Sequence, residues 1–527
     1  MCGIAAALDW PDAEGAVQTL ISGLLHRGDI TDPLVSPFAD AAVCTRRLRI
    51  VDGENAVQPQ LSADGRILVS FNGEIYNHSA LRLELQGTGV RFATLSDTEV
   101  LANALAVWGG KALSRLQGMF AFVAIDLKTK EFIAARDPFG EKPLYLIQSG
   151  TGFLFCSEIR PLLKASETGE VLLLPPGYAL GRNFCTPFFT LPAPNQRGAS
   201  DPKILDAVLS AAVARCVPPD LPFATLFSGG IDSTLITHYA RRLKPAAPGY
   251  FLGGKDAPDY AYAARYADQS GLDLRPVPFD GGAQATFAAV GAVIEAVESF
   301  EPSVIRPSIC YHALSKAVQA DGYRVVLVGE GADELYGGYA PLEATYAEGE
   351  AYGDPVREQC LSMLGRSALQ RTDRCTMRFG IEARAPFLDL SVVDHAFSLD
   401  AAALTPRVNG APRGKGALRA LYNLYPEALP ALIRDRRKLP LNEGAGLDDS
   451  QIASPMKRHF EDRISDRDFA EGQRRFEAYD LKSKEELFYL QTLASTMDID
   501  RVPHLKGRLR LSAPAIPQIQ ALKAVMA

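Results

Sequence analysis

The chain reads as an α+β unit of two layered sheets followed by an α/β unit built on an open parallel sheet. Three features carry that reading. Residues 1 to about 190 break into short apolar runs separated by turn residues. Leu191 to Asp201 (LPAPNQRGASD) is then rich in Pro, Asn, Gly and Ser, the composition of a linker. Beyond it, helix-like stretches flank apolar strands that open into glycine-rich turns, as in a parallel sheet covered on both faces. The two units are expected at 1–195 and 203–510.

In the first unit Ile67 to Ser70 is an apolar run leading into Asn72-Gly73, a turn pair. Phe120 to Ile125 and Glu131 to Ala135 flank the turn Asp126 to Lys130 and are expected to form a hairpin. Val171 to Ala179 is expected as a strand pair around Pro175-Pro176-Gly177, with helices near 78–86 and 97–108. In the second unit, helices near 203–216 and 232–243 flank the strand Phe223 to Phe227. Tyr323 to Val328 is a second strand. Ligands of such sheets sit beyond the carboxyl ends of the strands.

Composition narrows the function classes. The 527 residues exceed what one core holds, and 47% apolar with 22% charged residues is ordinary for a globular protein. A net charge of -7 gives no electrostatic case for nucleic acid. Basic clusters such as Arg434 to Lys438 lie close to acidic stretches and read as surface charge. The eight cysteines are scattered without metal-ligand spacing, so a reduced, cytoplasmic protein is expected. The start lacks the basic-then-apolar pattern of a secretory leader, and no apolar run approaches the roughly eighteen residues of a membrane span.

The chain starts Met1-Cys2-Gly3-Ile4. Removal of Met1 would leave a thiol and a free α-amine on one residue. The amine titrates at roughly 7.7–8.0 and the thiol near about 8.5, so the amine can act as general base for its own thiol. A small residue after Met1 is commonplace, and this feature alone is weak. It becomes an acyl-transfer centre only in company.

Two loops in the second unit supply company of another kind. Phe223 to Phe227 runs into Ser228-Gly229-Gly230-Ile231-Asp232-Ser233, a strand, a tight glycine turn and a helix start. Backbone N–H groups there converge on a phosphate or pyrophosphate, with Ser228 and Ser233 adding hydroxyls. Asp232 would repel a bare phosphate and suits a phosphate-bound Mg²⁺. The loop lacks the lysine of a Walker motif, which points to chemistry in which pyrophosphate leaves and AMP is transferred. Val325 to Val328 opens into Gly329-Glu330-Gly331-Ala332-Asp333-Glu334, where Asp333 reads as a second Mg²⁺ ligand and Glu330 as a group facing an amine.

Taken together the two halves resemble the glutamine-dependent asparagine synthetases, an Ntn-hydrolase-type class II amidotransferase domain joined to an ATP-pyrophosphatase-type synthetase domain. The first-half strings are Met1 to Ile4, His26-Arg27-Gly28, Arg47 to Asp52 (RLRIVD), Phe71 to Asn77 (FNGEIYN), Ser96 to Glu99 (SDTE) and Gly118 to Phe122 (GMFAF). The resemblance implies Cys2 as nucleophile on the glutamine amide, with Asn72 and the Gly73 N–H as oxyanion hole. It implies Arg47 on the glutamine carboxylate, Asp97 on its ammonium and Glu74 fixing the substrate. In the second half it implies Ser228, Gly229, Gly230, Asp232 and Ser233 around pyrophosphate. Gly253 and Asp259 (GGKDAPD) and Gly329 would lie by the nucleotide, with Asp232 and Asp333 on Mg²⁺. Arg306, in Ser303 to Ser308 (SVIRPS), would bind phosphate, Glu330 would face the intermediate, and Lys415 would contact the α-phosphate. Phe379 to Asp389 (FGIEARAPFLD) is a further match.

The implied partners are glutamine, ATP and a small carboxylate acceptor, with a homodimer as the assembly to test. Ammonia from the first centre would cross an interior passage to an acyl-adenylate in the second. Met119 to Phe122 and Ile381 to Phe387 are candidates for its wall and equally for plain core. Four departures bear on control and on the acceptor. Asp29-Ile30 follows Gly28 where the family has proline and aspartate. Glu301 to Pro307 replaces a threonine-rich segment, Val328 stands where a serine is usual, and Arg437-Lys438-Leu439-Pro440 replaces a lysine–glutamate pair. Aspartate is the expected acceptor, with a different carboxylate of specialised metabolism as the alternative.

Overall fold

The computed structural model describes residues 2–53, 55–193, 197–278, 283–436 and 455–509. Among them the first half forms two antiparallel sheets. The seven-stranded sheet runs Leu172–Leu173, Tyr145–Ser149, Gly152–Cys156, Gly3–Leu8, Ala41–Arg47, Ile30–Thr31, with Val35–Phe38 also on Ala41–Arg47. The six-stranded sheet runs Phe184–Pro187, Tyr178–Gly181, Phe132–Arg136, Gly118–Asp126, Ile67–Ile75, Gln60–Leu61.

The sheets lie face to face, and each carries helices on its outer face. Every residue of Gly3–Leu8 is buried. Its alternation sends Ile4, Ala6 and Leu8 toward Val123 and Ile125 of the other sheet, while Ala5 and Ala7 pack with Val17 and Leu20 of the helix Ala13–Ser22. On the far side, Val69, Phe71, Phe120 and Phe122 meet Leu81 and Leu101 of the helices His78–Gly87 and Asp97–Trp108. This helix–sheet–sheet–helix sandwich is the Ntn-hydrolase-type architecture, and its central strand begins one residue after Cys2.

The second half holds a five-stranded parallel sheet in the order Leu274–Val277, Gly249–Leu252, Ala224–Leu226, Val325–Leu327, Glu382–Arg384. Successive strands first extend one way from Ala224–Leu226 and then the other. Ala224–Leu226 and Val325–Leu327 are therefore neighbours at the point where the order reverses. A crevice forms there between the loops that follow them. One apolar cluster extends from Ala5 and Leu20 through Leu327 to Leu490, so the halves share packing.

Two local expectations change. Asn72-Gly73 is no turn: the strand runs on to Ile75, with Asn72 opposite Ala121 and Gly73 opposite Phe120. Ladder bonding to a long partner strand outweighs the local preference of the pair. Leu172–Leu173 and Tyr178–Gly181 do not pair with each other. They join different sheets, so the Pro175-Pro176-Gly177 corner carries the chain from one layer to the other. Ser303 to Ser308 lies inside the helix Pro302–Ala320. Met119 to Phe122 and Ile381 to Phe387 are buried core: Phe120 and Phe122 face the helices, Ala121 faces the other sheet, and Ile381 and Phe387 belong to the shared cluster. Arg437 to Pro440 lies outside the described residues. No helix among those described is long and apolar enough to cross a membrane, and the eight cysteines form no disulfide.

Phe122→Ala removes a fully buried ring whose centroid lies 6.1 Å from that of Phe120. It is expected to destabilise the first half by about 3–5 kcal/mol, read as a lowered urea midpoint. Leu83→Ala, at a position 70% exposed, is expected to shift stability by no more than about 0.5 kcal/mol.

Candidate functional site

The first centre forms where Gly3–Leu8 and Ile67–Ile75 bring Cys2 and Asn72 together. The Cys2 backbone nitrogen donates to Asn72 Oδ1 at 2.8 Å. That nitrogen becomes the α-amine once Met1 is gone. With Oδ1 so engaged, the Asn72 amide must point Nδ2 the other way, and Nδ2 is buried without a partner. A buried orphan donor is destabilising by about 1–3 kcal/mol unless something arrives to accept from it. Gly73 sits at φ +156°, and a Cβ there would lie 2.0 Å from the Met119 carbonyl oxygen, so no larger residue fits. Gly28 is equally confined, 2.4 Å from the Arg47 carbonyl oxygen by the same measure.

Burial pushes the Cys2 thiol above its ordinary value, while the Leu48 backbone bond and the Arg47 charge act against that rise. The Arg47 fork grips Asp32 through Nε (2.7 Å) and a terminal nitrogen (3.0 Å), and also donates to the Gly53 carbonyl (2.8 Å). Both terminal nitrogens keep a further N–H. Asp97 begins the helix Asp97–Trp108 and accepts from the Ile75 N–H at 3.0 Å. Burial pushes its carboxyl up to about 6. Glu74 is pushed up to about 8 by burial, against the pull of Arg384, whose guanidinium donates to it at 3.0 Å. Arg384 comes from the second half.

The second centre is a cavity of about 1130 Å³ at the carboxyl ends of the parallel strands, lined by both glycine-rich loops. Ser228 Oγ and Ser233 Oγ lie 3.1 Å apart, and Gly230, which starts the helix Ile231–Leu243, has no side-chain cap. The first N–H groups of that helix are thus presented toward the loop. The loops touch: a Cβ on Gly329 would lie 2.9 Å from Asp232 Cβ. Lys415 Nζ stands 2.5 Å from Asp232 Oδ2 and 2.7 Å from Asp333 Oδ1. A Cβ on Gly338 would strike both Asp333 Oδ1 (2.0 Å) and Lys415 Cε (2.3 Å), so glycine permits the convergence. Two carboxylates aimed at one point suit a hard divalent cation that brings its remaining oxygens on phosphates. Among the described residues no group of three or more His, Cys, Asp or Glu is placed to hold a metal unaided.

Glu330 lines the same cavity. Its Oε1 accepts from the Tyr311 hydroxyl at 2.5 Å and from Arg371 at 3.0 Å. Gly253 ends the strand Gly249–Leu252 at φ +115°, donating to the Val277 carbonyl. Asp259 lines the cavity and accepts from Arg436 at 2.6 Å, and Arg436 also donates to the Gly229 carbonyl at 3.1 Å. Arg306 is placed apart from its expected phosphate role. Ser303, Pro307, Tyr311 and Leu314 fall on one helical face and line the cavity. Arg306 lies off that stripe and grips Glu485 at 2.9 and 2.6 Å.

Sequence reasoning passed over Asp32, Tyr311, Arg371 and Arg384, and read Arg436 as surface charge, whereas it is buried against Asp259 and the Gly229 carbonyl. Tyr311 was findable from the helical period once Ser303 to Ser308 is read as a helix. Arg384 was findable as one of two like-facing charged residues on a short strand, Glu382–Arg384. Arg371 and Asp32 carry no local signal.

Comparison with known proteins finds a match for each half of the chain. Residues 1–172 match the glutamine amidotransferase domain, and residues 205–357 and 347–502 match asparagine synthase. Glutamine-hydrolyzing asparagine synthetase 3 of Arabidopsis thaliana is 32% identical over 472 residues, 85% of this chain and 79% of the relative. Glutamine-hydrolyzing asparagine synthetase 2 of Oryza sativa subsp. japonica is 30% identical over 494 residues, 88% and 80%. The probable glutamine-hydrolyzing asparagine synthetase of Dictyostelium discoideum is 29% identical over 526 residues, 93% and 92%. The chain belongs to the glutamine-hydrolysing asparagine synthetases, ligases that form a carbon–nitrogen bond with glutamine as nitrogen donor.

Proposed function

We propose that this enzyme converts aspartate to asparagine, taking ammonia from glutamine at Cys2 and releasing AMP and diphosphate from ATP in the second half. The observation that carries the reading is the Asn72 amide. Its oxygen holds the Cys2 nitrogen and its Nδ2 is a buried donor with no partner. A tetrahedral oxyanion on a Cys2 adduct would supply the missing acceptor.

In this scheme the Cys2 nitrogen, freed as an α-amine, takes the thiol proton while sulfur attacks the glutamine side-chain carbonyl. Asn72 Nδ2 and the Gly73 N–H stabilise the developing oxyanion. Arg47 pairs with the substrate carboxylate through its remaining donors, and Asp97 pairs with the ammonium. The α-ammonium returns that proton to the substrate nitrogen, which leaves as ammonia as the oxyanion collapses to the thioester, and water then cleaves the thioester to glutamate and the free thiol. At the other centre Ser228 to Ser233 hold the departing diphosphate. Lys415 neutralises charge that develops at the α-phosphate. Asp232 and Asp333 would hold Mg²⁺, which when bound neutralises the phosphates. Glu330 accepts the proton that ammonia sheds as it attacks the acyl-adenylate. Sequestration matters because free ammonia is mostly protonated at neutral pH and water would hydrolyse the adenylate.

A second reading keeps the chemistry and changes the acceptor. Tyr311, Leu314, Pro307 and Val328 line the cavity, an apolar stretch of wall that a small amino acid with two carboxylates and an ammonium does not require. A carboxylate with an apolar body would then replace aspartate.

Cys2→Ala is expected to cut glutamine-dependent amide formation by at least about 10³-fold while ammonium-dependent AMP release stays within about twofold. ADP as product, or equal loss with both nitrogen donors, overturns the scheme. A panel of carboxylates scored by AMP release separates the two acceptor readings. The KM for glutamine is expected to fall as pH rises through about 6, because Asp97 must lose its proton to pair with the ammonium. Asp97→Asn should flatten that dependence and raise KM about 10- to 100-fold in steady-state glutaminase assays. Lys415→Met should lower AMP release by about 10²–10³-fold and leave glutaminase activity within about twofold.

A further inference from the structure

We infer that Asp373, a residue of the synthetase half, is a positioning residue of the glutaminase, acting through Arg27 on the Cys2 backbone. The inference rests on the function proposed above and adds to it a requirement that crosses the chain's two halves.

Both ends of the Cys2 backbone unit are pinned. Its nitrogen donates to Asn72, and its carbonyl oxygen accepts from Arg27 Nε at 3.1 Å. Arg27 is fully buried, so its charge must be met by carboxylates. One terminal nitrogen donates to Glu158 at 2.9 Å, within its own half. The other donates to both oxygens of Asp373, at 3.1 and 2.9 Å. Asp373 lies on the helix Ala368–Met377 and is itself buried. Asp373 clamps one terminal nitrogen between its two oxygens while Glu158 holds the other, and these two anchors together set where Nε meets the Cys2 carbonyl.

Neighbouring charges cannot take over this task. Glu158 already serves His26 (2.9 Å) and Arg374 (2.8 Å) besides Arg27, and Glu298 serves Arg374 (3.0 Å) and Arg160. Without Asp373 the Arg27 fork would lose its outer anchor and be free to turn toward Glu158. The Cys2 carbonyl would then lose its donor, and the thiol its alignment with Asn72 Nδ2. Misplacement of a nucleophile by about 1 Å is enough to slow attack up to about 10²-fold. The same helix turns Arg371 onto Glu330 in the synthetase cavity. One helix of the second half thus carries a side chain that reaches the acceptor centre and another that reaches the arginine holding the nucleophile's backbone.

The test compares wild type, Asp373→Asn, Arg27→Lys and the double variant. Glutamine hydrolysis is followed by glutamate release without ATP, and synthesis by AMP release with ammonium and aspartate. Asp373→Asn is expected to lower kcat for glutamine hydrolysis about tenfold, with KM for glutamine and ammonium-dependent synthesis each within about twofold of wild type. Arg27→Lys keeps the buried charge but loses the fork. It should show the same selective loss, and the double variant should lose no more than the worse single one. If Asp373→Asn does not fold, Arg27→Lys alone decides by the same criterion. Wild-type glutaminase in Asp373→Asn, parallel loss of both activities, or full additivity in the double variant overturns the inference. A wild-type protein that does not hydrolyse glutamine overturns the proposed function instead.

Discussion

Guanidinium groups buried at the seam between the halves constrain everything else in this molecule. Arg27, Arg374 and Arg384 are at most 2% exposed, and each spends donors on carboxylates or carbonyls of the opposite half. Taking one such charge out of water costs several kcal/mol unless acceptors surround it. Glu74 and Glu158 from the first half and Asp373, Glu298 and Glu382 from the second provide them. Neither half satisfies its own charges, so the relative placement of the two sheets is dictated by pairing as well as by the shared apolar cluster.

Within that frame both centres depend on close backbone approach. Gly73 lets the Ile67–Ile75 strand press against Met119, which brings Asn72 to Cys2. Gly329 and Gly338 let two loops and a lysine meet at Asp232 and Asp333. A methyl group at any of the three would displace atoms that make the chemistry. The centres also share a logic of unbalanced polar groups. The first keeps a buried amide donor without an acceptor, and the second gathers carboxylates around one ammonium. On the proposed function, substrate would supply the groups that each centre lacks, which is the pattern expected of a preorganised site.

Two further groups act beside the centres, one at the seam and one in the synthetase cavity. Asp29, in place of the family's proline, bridges Arg49 and Arg324 across the seam. The helix that begins at Pro302 turns Tyr311 rather than Arg306 toward the cavity, where its hydroxyl takes one oxygen of Glu330. A tyrosine and an arginine on the same carboxylate oxygen leave the other oxygen to face the cavity. Tyr311 thus shapes the wall of the synthetase cavity, while Asp29 ties the glutaminase half to the second half outside it.

Layer order, the linker and the two strand–loop–helix turns were legible in the chain because they rest on local patterning: period-two apolar strands, glycines at strand ends and turn residues between them. Cys2, Asn72, Asp97, Asp232 and Asp333 could be named as candidates because the short strings around them are distinctive, and the fold brings Cys2 to Asn72 and Asp232 to Asp333. Other features were illegible for a common reason. Asn72-Gly73 reads locally as a turn and is strand only because Ala121 and Phe120 lie opposite. Arg306 reads as a phosphate ligand and is turned to Glu485 by the helix it occupies. Arg27, Asp373 and Arg384 gain their partners 346 and 310 residues away along the chain. Local sequence encodes the dihedral preference and apolar rhythm of each segment. Which charge faces which across a buried seam is settled when the sheets pack, because that is when desolvation makes an unmatched charge intolerable.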